Sequence, residues 1–263
     1  MNIIVCAKQV PDTVEVKINP QTNTLVREGV QSVINPFDMY AIEEAVRLKE
    51  RFGGKTTIIT MGPPQAQEAL REALSMGIDE AVLLSDRAFA GSDTWATSLV
   101  LAKAIERLGD FDLIICGKQA SDGDTAQVGP GIAAHLNLPQ ATYVRRIDTV
   151  HLDTAPHIMI LERLVEEGYE IMEVQLPALI TVVKEINEPR MPSLKGKMRA
   201  RKAQIACWSN EELAIEEDKV GLKGSPTQVV RIFTPPQKEG GKIYDGEPED
   251  IVVKLVADIK DLL

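Results

Sequence analysis

Reactive side chains are scarce in this sequence: 263 residues include three cysteines and three histidines. Cys6, Cys116 and Cys207 are far apart, odd in number and partly set in apolar runs. That excludes a disulfide framework and CxxC redox chemistry. His135, His151 and His157 have no metal-ligand spacing with the cysteines, so no metal site is expected. No apolar run reaches membrane-spanning length, and no signal peptide precedes the strand-like Asn2-Ile-Ile-Val-Cys6. A cytoplasmic location without membrane insertion is the expectation. Positive charge is in deficit, with 29 basic against 39 acidic residues and a net charge of −10. That argues against a nucleic-acid partner. A chain of this composition that moves electrons must borrow an organic cofactor.

What is present is a core. Hydrophobic residues make up 44% of the chain, and its length suits one large α/β domain, or one domain with a long appendage. Asn2–Ala7 reads as a first strand, and 12–26 as a hairpin-like excursion with Asn-Pro and Thr-Asn turns. Asn35 is placed as an N-cap, with Pro36 at the first helical position and Asp38 at the positive end of the dipole. Ala41, Ala45 and Leu48 carry that helix to Phe52, and Gly53-Gly54 ends it. Lys55–Met61 is a strand, Gly62-Pro-Pro64 turns into a helix ending near Gly77, and Ala81–Leu84 is a third strand. Ser92 is positioned to cap a helix running to Leu108.

Leu113–Cys116 then feeds a loop of small and turn-forming residues, Gly117 to Gly131, and a helix bearing Ile132, Ala133 and Leu136. Strand, glycine-rich turn and helix N-terminus together make an anion site. The loop has neither Gly-x-Gly-x-x-Gly nor a Gly-Lys-Ser/Thr ending. Gly123 allows a positive φ, and Asp122 or Asp124 is placed to cap the helix. Pro130 requires that the helix start near Val128, or start at Thr125 and kink. From local pattern the loop is either a capped crossover or a nucleotide site.

Strands alternating with helices predict a doubly wound, mostly parallel Rossmann-like sheet. Ligands in such folds sit beyond the carboxyl ends of the strands. Residues 6–9, 35–38, 61–64, 85–97 and 117–130 meet there, which favours the nucleotide reading. After Pro139 the strands at 142–147, 158–164 and 170–174 predict an antiparallel flank, and 178–183 a return to buried strand. From Glu185 the pattern thins. Residues 187–196 read as an extended loop, and the five basic residues between Lys195 and Lys202 as solvated surface. Thr227–Phe233 is a possible strand. Pro248–Leu262 is an amphipathic helix with Ile251, Leu255, Ile259 and Leu262 on one face. The expected division is a nucleotide-binding domain over 1–184 and a long C-terminal arm over 185–263.

These residues carry a resemblance. Val5-Cys-Ala-Lys-Gln-Val-Pro-Asp12, Asn35-Pro-Phe-Asp38, Glu43–Lys49, Met61-Gly-Pro63, Gly117-Lys-Gln-Ala120 with Asp122 and Gln127, and Asn187-Glu-Pro-Arg190 follow one another as in the β subunit of electron-transfer flavoprotein. The chain resembles that family nearly end to end. The resemblance implies a heterodimer with an α subunit that carries an electron-transferring FAD. It also implies an adenine nucleotide in this chain: AMP in ordinary members, a second FAD in flavin-bifurcating members from anaerobes. Nucleotide contacts carry over onto Cys6, Ala7, Asn35, Pro36, Phe37, Asp38, Met61, and Asp122, Gly123, Asp124, Thr125, Ala126, Gln127, Val128, Gly129, Pro130 and Gly131. Asn187–Met198 matches the family's recognition loop, with Leu194 as the leucine that docks on a dehydrogenase.

Two stretches bear on the subtype. Asp122–Pro130 and Asp86–Ser98 resemble the bifurcating members, in which Ala88, Ala90 and Gly91 leave room for a ring system. Asp93, Thr94, Thr97 and Ser98 offer it hydrogen bonds. The other reading of Asp86–Ser98 is a polar helix cap. The resemblance implies FAD here, with AMP as the alternative. NADH then donates a hydride to that FAD. One electron passes to ferredoxin or flavodoxin, and the other goes through the α-subunit FAD to an acyl-CoA dehydrogenase-type flavoenzyme. No catalytic side chain of this chain is invoked. An AMP-binding structural subunit and a nucleotide-binding regulatory module stand as the other two readings.

Overall fold

The computed structural model describes residues 1–12, 18–19, 24–25, 32–153, 155–230 and 241–260. Its centre is a nine-stranded sheet in the order β11-β10-β9-β12-β8-β1-β6-β7-β13. In chain order these are β1 (Asn2–Cys6), β6 (Lys55–Met61), β7 (Glu80–Leu84), β8 (Leu113–Gly117), β9 (Gln140–His151), β10 (Ile158–Val165), β11 (Gly168–Gln175), β12 (Ala178–Val182) and β13 (Ala206–Trp208). From β9 to β13 across the sheet all neighbours are parallel. β9, β10 and β11 form the antiparallel flank. The doubly wound sheet with its flank is as the sequence predicts. Two short antiparallel pairs stand outside it: β2 (Gln9–Pro11) with β5 (Ser32–Ile34), and β3 (Ile18–Asn19) with β4 (Thr24–Leu25). The second pair falls within the expected 12–26 excursion, most of which lies outside the described residues.

Strand alternation divides the core in two. Ile3, Val5, Ile58 and Leu83 pack under α1 (Pro36–Phe52) and α2 (Gln67–Met76). Ile4, Cys6, Ile59 and Leu84 pack under α3 (Thr94–Leu108) and α4 (Val128–Leu136). Strands buried on both faces have no polar side, which is why they read as continuous apolar runs.

Several local expectations are corrected. α3 is capped by Asp93, whose side chain accepts from Trp95 N and Ala96 N, whereas Ser92 donates to Phe89 O. α4 starts at Val128, and neither Asp122 nor Asp124 caps it. Pro130 thus lies in its first turn, where no intrahelical N–H is required. Residues 194–202 are a helix, α5 (Leu194–Lys202), so the basic run is only partly solvated. Arg199 donates to Leu74 O and Ile78 O at the end of α2, and Ala200 is buried. β13 and the short α6 (Asn210–Leu213) extend order into the thinly patterned arm. Thr227 to Val230 are in no strand, and residues 231–233 of the expected 227–233 strand lie outside the described residues. The last helix is α7 (Pro248–Ile259); Leu262 lies outside the described residues.

Candidate nucleotide site

The sheet has a topological switch between β1 and β8. The chain leaves β1 through α1 to one side, and returns through β7 and α3 to β8 on the other. Carboxyl ends diverge at such a point and open a crevice. Cys6 and Cys116, in register across the two strands, form its floor. Both are buried, and the Cys116 thiol is pushed well up by its hydrogen bond to Cys6 and by burial.

Four segments are cross-linked around this crevice. Asn35 sits at the N-cap position of α1, but its side chain does not cap the helix. Its amide instead donates to Gln119 O at 2.8 Å and accepts from Ser121 N at 3.0 Å, fastening the loop after β8 to the start of α1. Lys8 Nζ reaches Asp122 at 2.7 Å, and Lys8 N donates to Asp38 Oδ2 at 2.7 Å. Asp38 stands in the first turn of α1, as the sequence predicts. It is buried, and burial pushes its carboxyl up to about 7 against the hydrogen bonds from Lys8 N, Asn35 and Gly117 N that favour the charge. Thr94 Oγ1 and Gln127 Oε1 lie 3.1 Å apart, which joins the head of α3 to the same loop.

The loop is shaped to take an anion. Gly123 does not have the positive φ the sequence suggests; Asp124 and Ala126 adopt left-handed backbone instead, at 55° and 54°. The N–H groups of Thr125 to Gly129 have no acceptor among the described residues, as the orphan donors of a helix start must. They fit a phosphate, which accepts from such groups. Asp122 is engaged by Lys8 and Asp124 by Gln119, which turns both acids to side-chain partners. α4 comes close to the sheet at Gly129 and to α3 at Gly131 because neither carries a side chain. A Cβ at Gly129 would lie 2.7 Å from Thr181 Cγ2, and one at Gly131 2.6 Å from Ser98 Oγ.

Cys6, Ala7, Asn35, Pro36, Phe37, Asp38, Asp122 to Gly131, Thr94 and Thr97 are thus drawn to one rim, with Met61 closing β6 nearby. Asp93 is on that rim, but its carboxylate is occupied. Oδ1 caps α3, and Oδ2 accepts from Thr227 N at 2.9 Å and Thr227 Oγ1 at 2.8 Å. Ser225 and Gly221 reinforce this strap through Asp93 N and Ser92 Oγ. A groove of about 480 Å³ between Trp95, His135, Lys223 and Ser225 lies under the strap, apart from the phosphate loop.

Leu194 is not at this site. It opens α5, which packs on α2, and is 78% exposed beside exposed Met191 and Met198. The segment before it is clamped to α1. Arg190 pairs with buried Glu43 at 2.8 Å and with Glu50 at 2.6 Å, and Asn187 donates to Tyr40 O and Glu44. Burial works against the Glu43 charge, but the hydrogen bonds from Arg190 and Arg47 outweigh it and lower its pKa. Lys8, Gln119, Ser121 and Thr227 carry this architecture without having stood out. Lys8 and Gln119 sit inside quoted motifs and Ser121 inside the loop after β8, whereas no local pattern announces the role of Thr227.

No metal-binding group of His, Cys, Asp or Glu occurs among the described residues, and no described helix is long and apolar enough to cross a membrane. Residues 22–213 match the family described as electron transfer flavoprotein domain. Relatives that match over most of their length include the following three. The electron transfer flavoprotein subunit beta of Thermoanaerobacterium thermosaccharolyticum is 53% identical, over 97% of this chain and 96% of its own. The subunit CarD of the caffeyl-CoA reductase-Etf complex of Acetobacterium woodii is 50% identical, over 99% and 98%. The protein FixA of Bradyrhizobium diazoefficiens is 48% identical, over 90% and 84%.

Proposed function

The chain belongs to the electron transfer flavoprotein family as a β subunit, and from that premise we propose that it holds FAD at the switch-point loop and serves flavin-based electron bifurcation. In this reading NADH is the donor. Ferredoxin or flavodoxin takes one electron. The other leaves through the α-subunit FAD for an acyl-CoA dehydrogenase- or reductase-type flavoenzyme, all in the cytoplasm. The flavin supplies the redox chemistry. The chain's own residues bind and orient it: the N–H groups of 125–129 for the phosphates, and Thr94 and Thr97 for groups beyond them; Ser98, which the sequence also suggests, is buried and donates to Trp95 O.

The observation that carries the proposal is the Thr94–Gln127 contact. It puts Thr94 and the head of α3 beside the loop, where a ligand longer than AMP needs a further wall. Similarity to a subunit named for a reductase-Etf complex supports the same reading. Within the 185–263 arm, much of which packs on the chain's own sheet and helices, the exposed helix α7 is proposed to pack on the α subunit and Leu194 to face the flavoenzyme.

Denaturing the purified heterodimer and measuring the released nucleotides by chromatography tests this. Two FAD per heterodimer, one of them reducible by NADH, is the expected result. One FAD with one AMP overturns bifurcation and leaves an ordinary carrier subunit.

A further inference from the structure

Asp38 is an unusual group to find beneath a nucleotide. It is 5% exposed and, among the described residues, pairs with no cation. The nearest lysine directs its charge elsewhere, since Lys8 Nζ is turned to Asp122. Lys118 Nζ lies over the rings of Phe37 and Tyr143, at 5.8 and 5.0 Å. From β8, Asp38 acts on the Cys116 thiol, which is held protonated. Asp38 is also a joint. It accepts from Lys8 N after β1, presses on Gly117 so closely that a Cβ there would lie 2.3 Å from Oδ1, and heads α1 three residues after Asn35.

We propose that Asp38 is a positioning residue whose carboxyl takes up a proton from solvent when the anionic nucleotide binds, so that the site fills more tightly as pH falls. The inference rests on the nucleotide reading above. A buried carboxylate without a cation is poorly compensated, and a diphosphate placed on the loop above it adds like charge. Both favour the neutral acid. Burial already pushes the free carboxyl up to about 7, so the ligand moves it further into the range where protons are taken up. By linkage, affinity changes by as much as about tenfold per pH unit between the free and bound pKa values.

FAD is the probe, because its diphosphate diester keeps its charge through neutral pH, whereas the monoester of AMP titrates there itself. Heterodimer retaining its α-subunit flavin and stripped of the β-subunit nucleotide is titrated with FAD at about pH 7.5, a value just above the free pKa. Calorimetry in two buffers of different ionisation enthalpy gives the protons taken up. A substantial fraction of one proton is expected for the native complex, and none for Asp38→Asn, which keeps the size and cannot ionise. FAD binding without proton uptake, or uptake persisting in Asp38→Asn, overturns the proposal. No FAD binding at all overturns the nucleotide reading itself. Should the variant fail to assemble, the infrared difference spectrum of the native complex decides. A protonated-carboxyl C=O band gained on binding supports the proposal, and its absence overturns it.

Discussion

Asp93 grips Thr227 across 134 residues of sequence with one carboxylate oxygen, while its other oxygen caps the helix that begins beside it. Helix start and strap are therefore one unit. Asp93→Ala is expected to lose about 1–2 kcal/mol of stability through the cap alone and to open the strap to protease near Thr227. Burial opposes the Asp93 charge, but the hydrogen bonds from Ala96, Thr227 and Trp95 outweigh it and lower its pKa below the ordinary 3.8. The stabilisation is therefore full above that value and lost as pH falls through the lower, folded one. Thermal melts of wild type and variant from neutral to acid pH check both points; parallel curves throughout would remove Asp93 from this role.

Gly123 and Gly129 are expected to behave oppositely. Gly123 is open to solvent, needs no positive φ, and has no atom within 4 Å of where a Cβ would stand. Gly123→Ala should therefore change stability by less than about 0.5 kcal/mol. Gly129→Ala drives a methyl into Thr181 and should cost about 1–3 kcal/mol. It should also loosen nucleotide retention by shifting the head of α4. Denaturant melts and nucleotide content of the two variants test the pair.

Leu194→Ala should slow electron transfer to the partner flavoenzyme and leave nucleotide content and melting temperature unchanged. An exposed apolar anchor entering a partner's pocket contributes about 2 kcal/mol. Arg190→Ala should affect the same kinetics indirectly, by releasing the Glu43 and Glu50 clamp behind it. Stopped-flow transfer measured with each variant separates anchor from clamp; unchanged rates for Leu194→Ala would remove the anchor.

Deleting 241–263 should weaken the heterodimer more than the sheet. Val252, Val253, Leu255 and Val256 of α7 are all exposed, a face that needs a surface to bury against. Stoichiometric co-purification of the truncated chain with its α subunit would show that the helix is no interface element.

The central strands were legible because they are buried on both faces, and because Gly53, Gly77 and Gly109 end the helices between them. The rim was legible as a set of segments meeting at strand ends. What each side chain does there was not. Asn35 has the identity and place of a cap, yet commits its amide to Gln119 and Ser121, partners 84 and 86 residues away. Asp93 has the look of a ligand contact, yet its carboxylate is taken by Thr227 from far along the chain. Left-handed backbone fell on Asp124 and Ala126 and bypassed Gly123 because a turn's conformation is set by what anchors its two ends. α5 escaped notice because its apolar contacts are few; Ala200 and the Arg199 guanidinium hold it to α2.

The strand order also sets a timetable for synthesis. β1, among the first residues made, lies at the middle of the sheet and remains without its β8 neighbour until residue 117 has emerged. The last strand to join among the described residues, β13, belongs to residues 206–208, after the chain has passed α1 and α2. Such long-range pairing slows folding, and an incomplete sheet exposes pairing edges. A nascent chain arrested before residue 206 should therefore leave the β7 edge open to aggregation or to chaperones, and release of the remaining residues should close it.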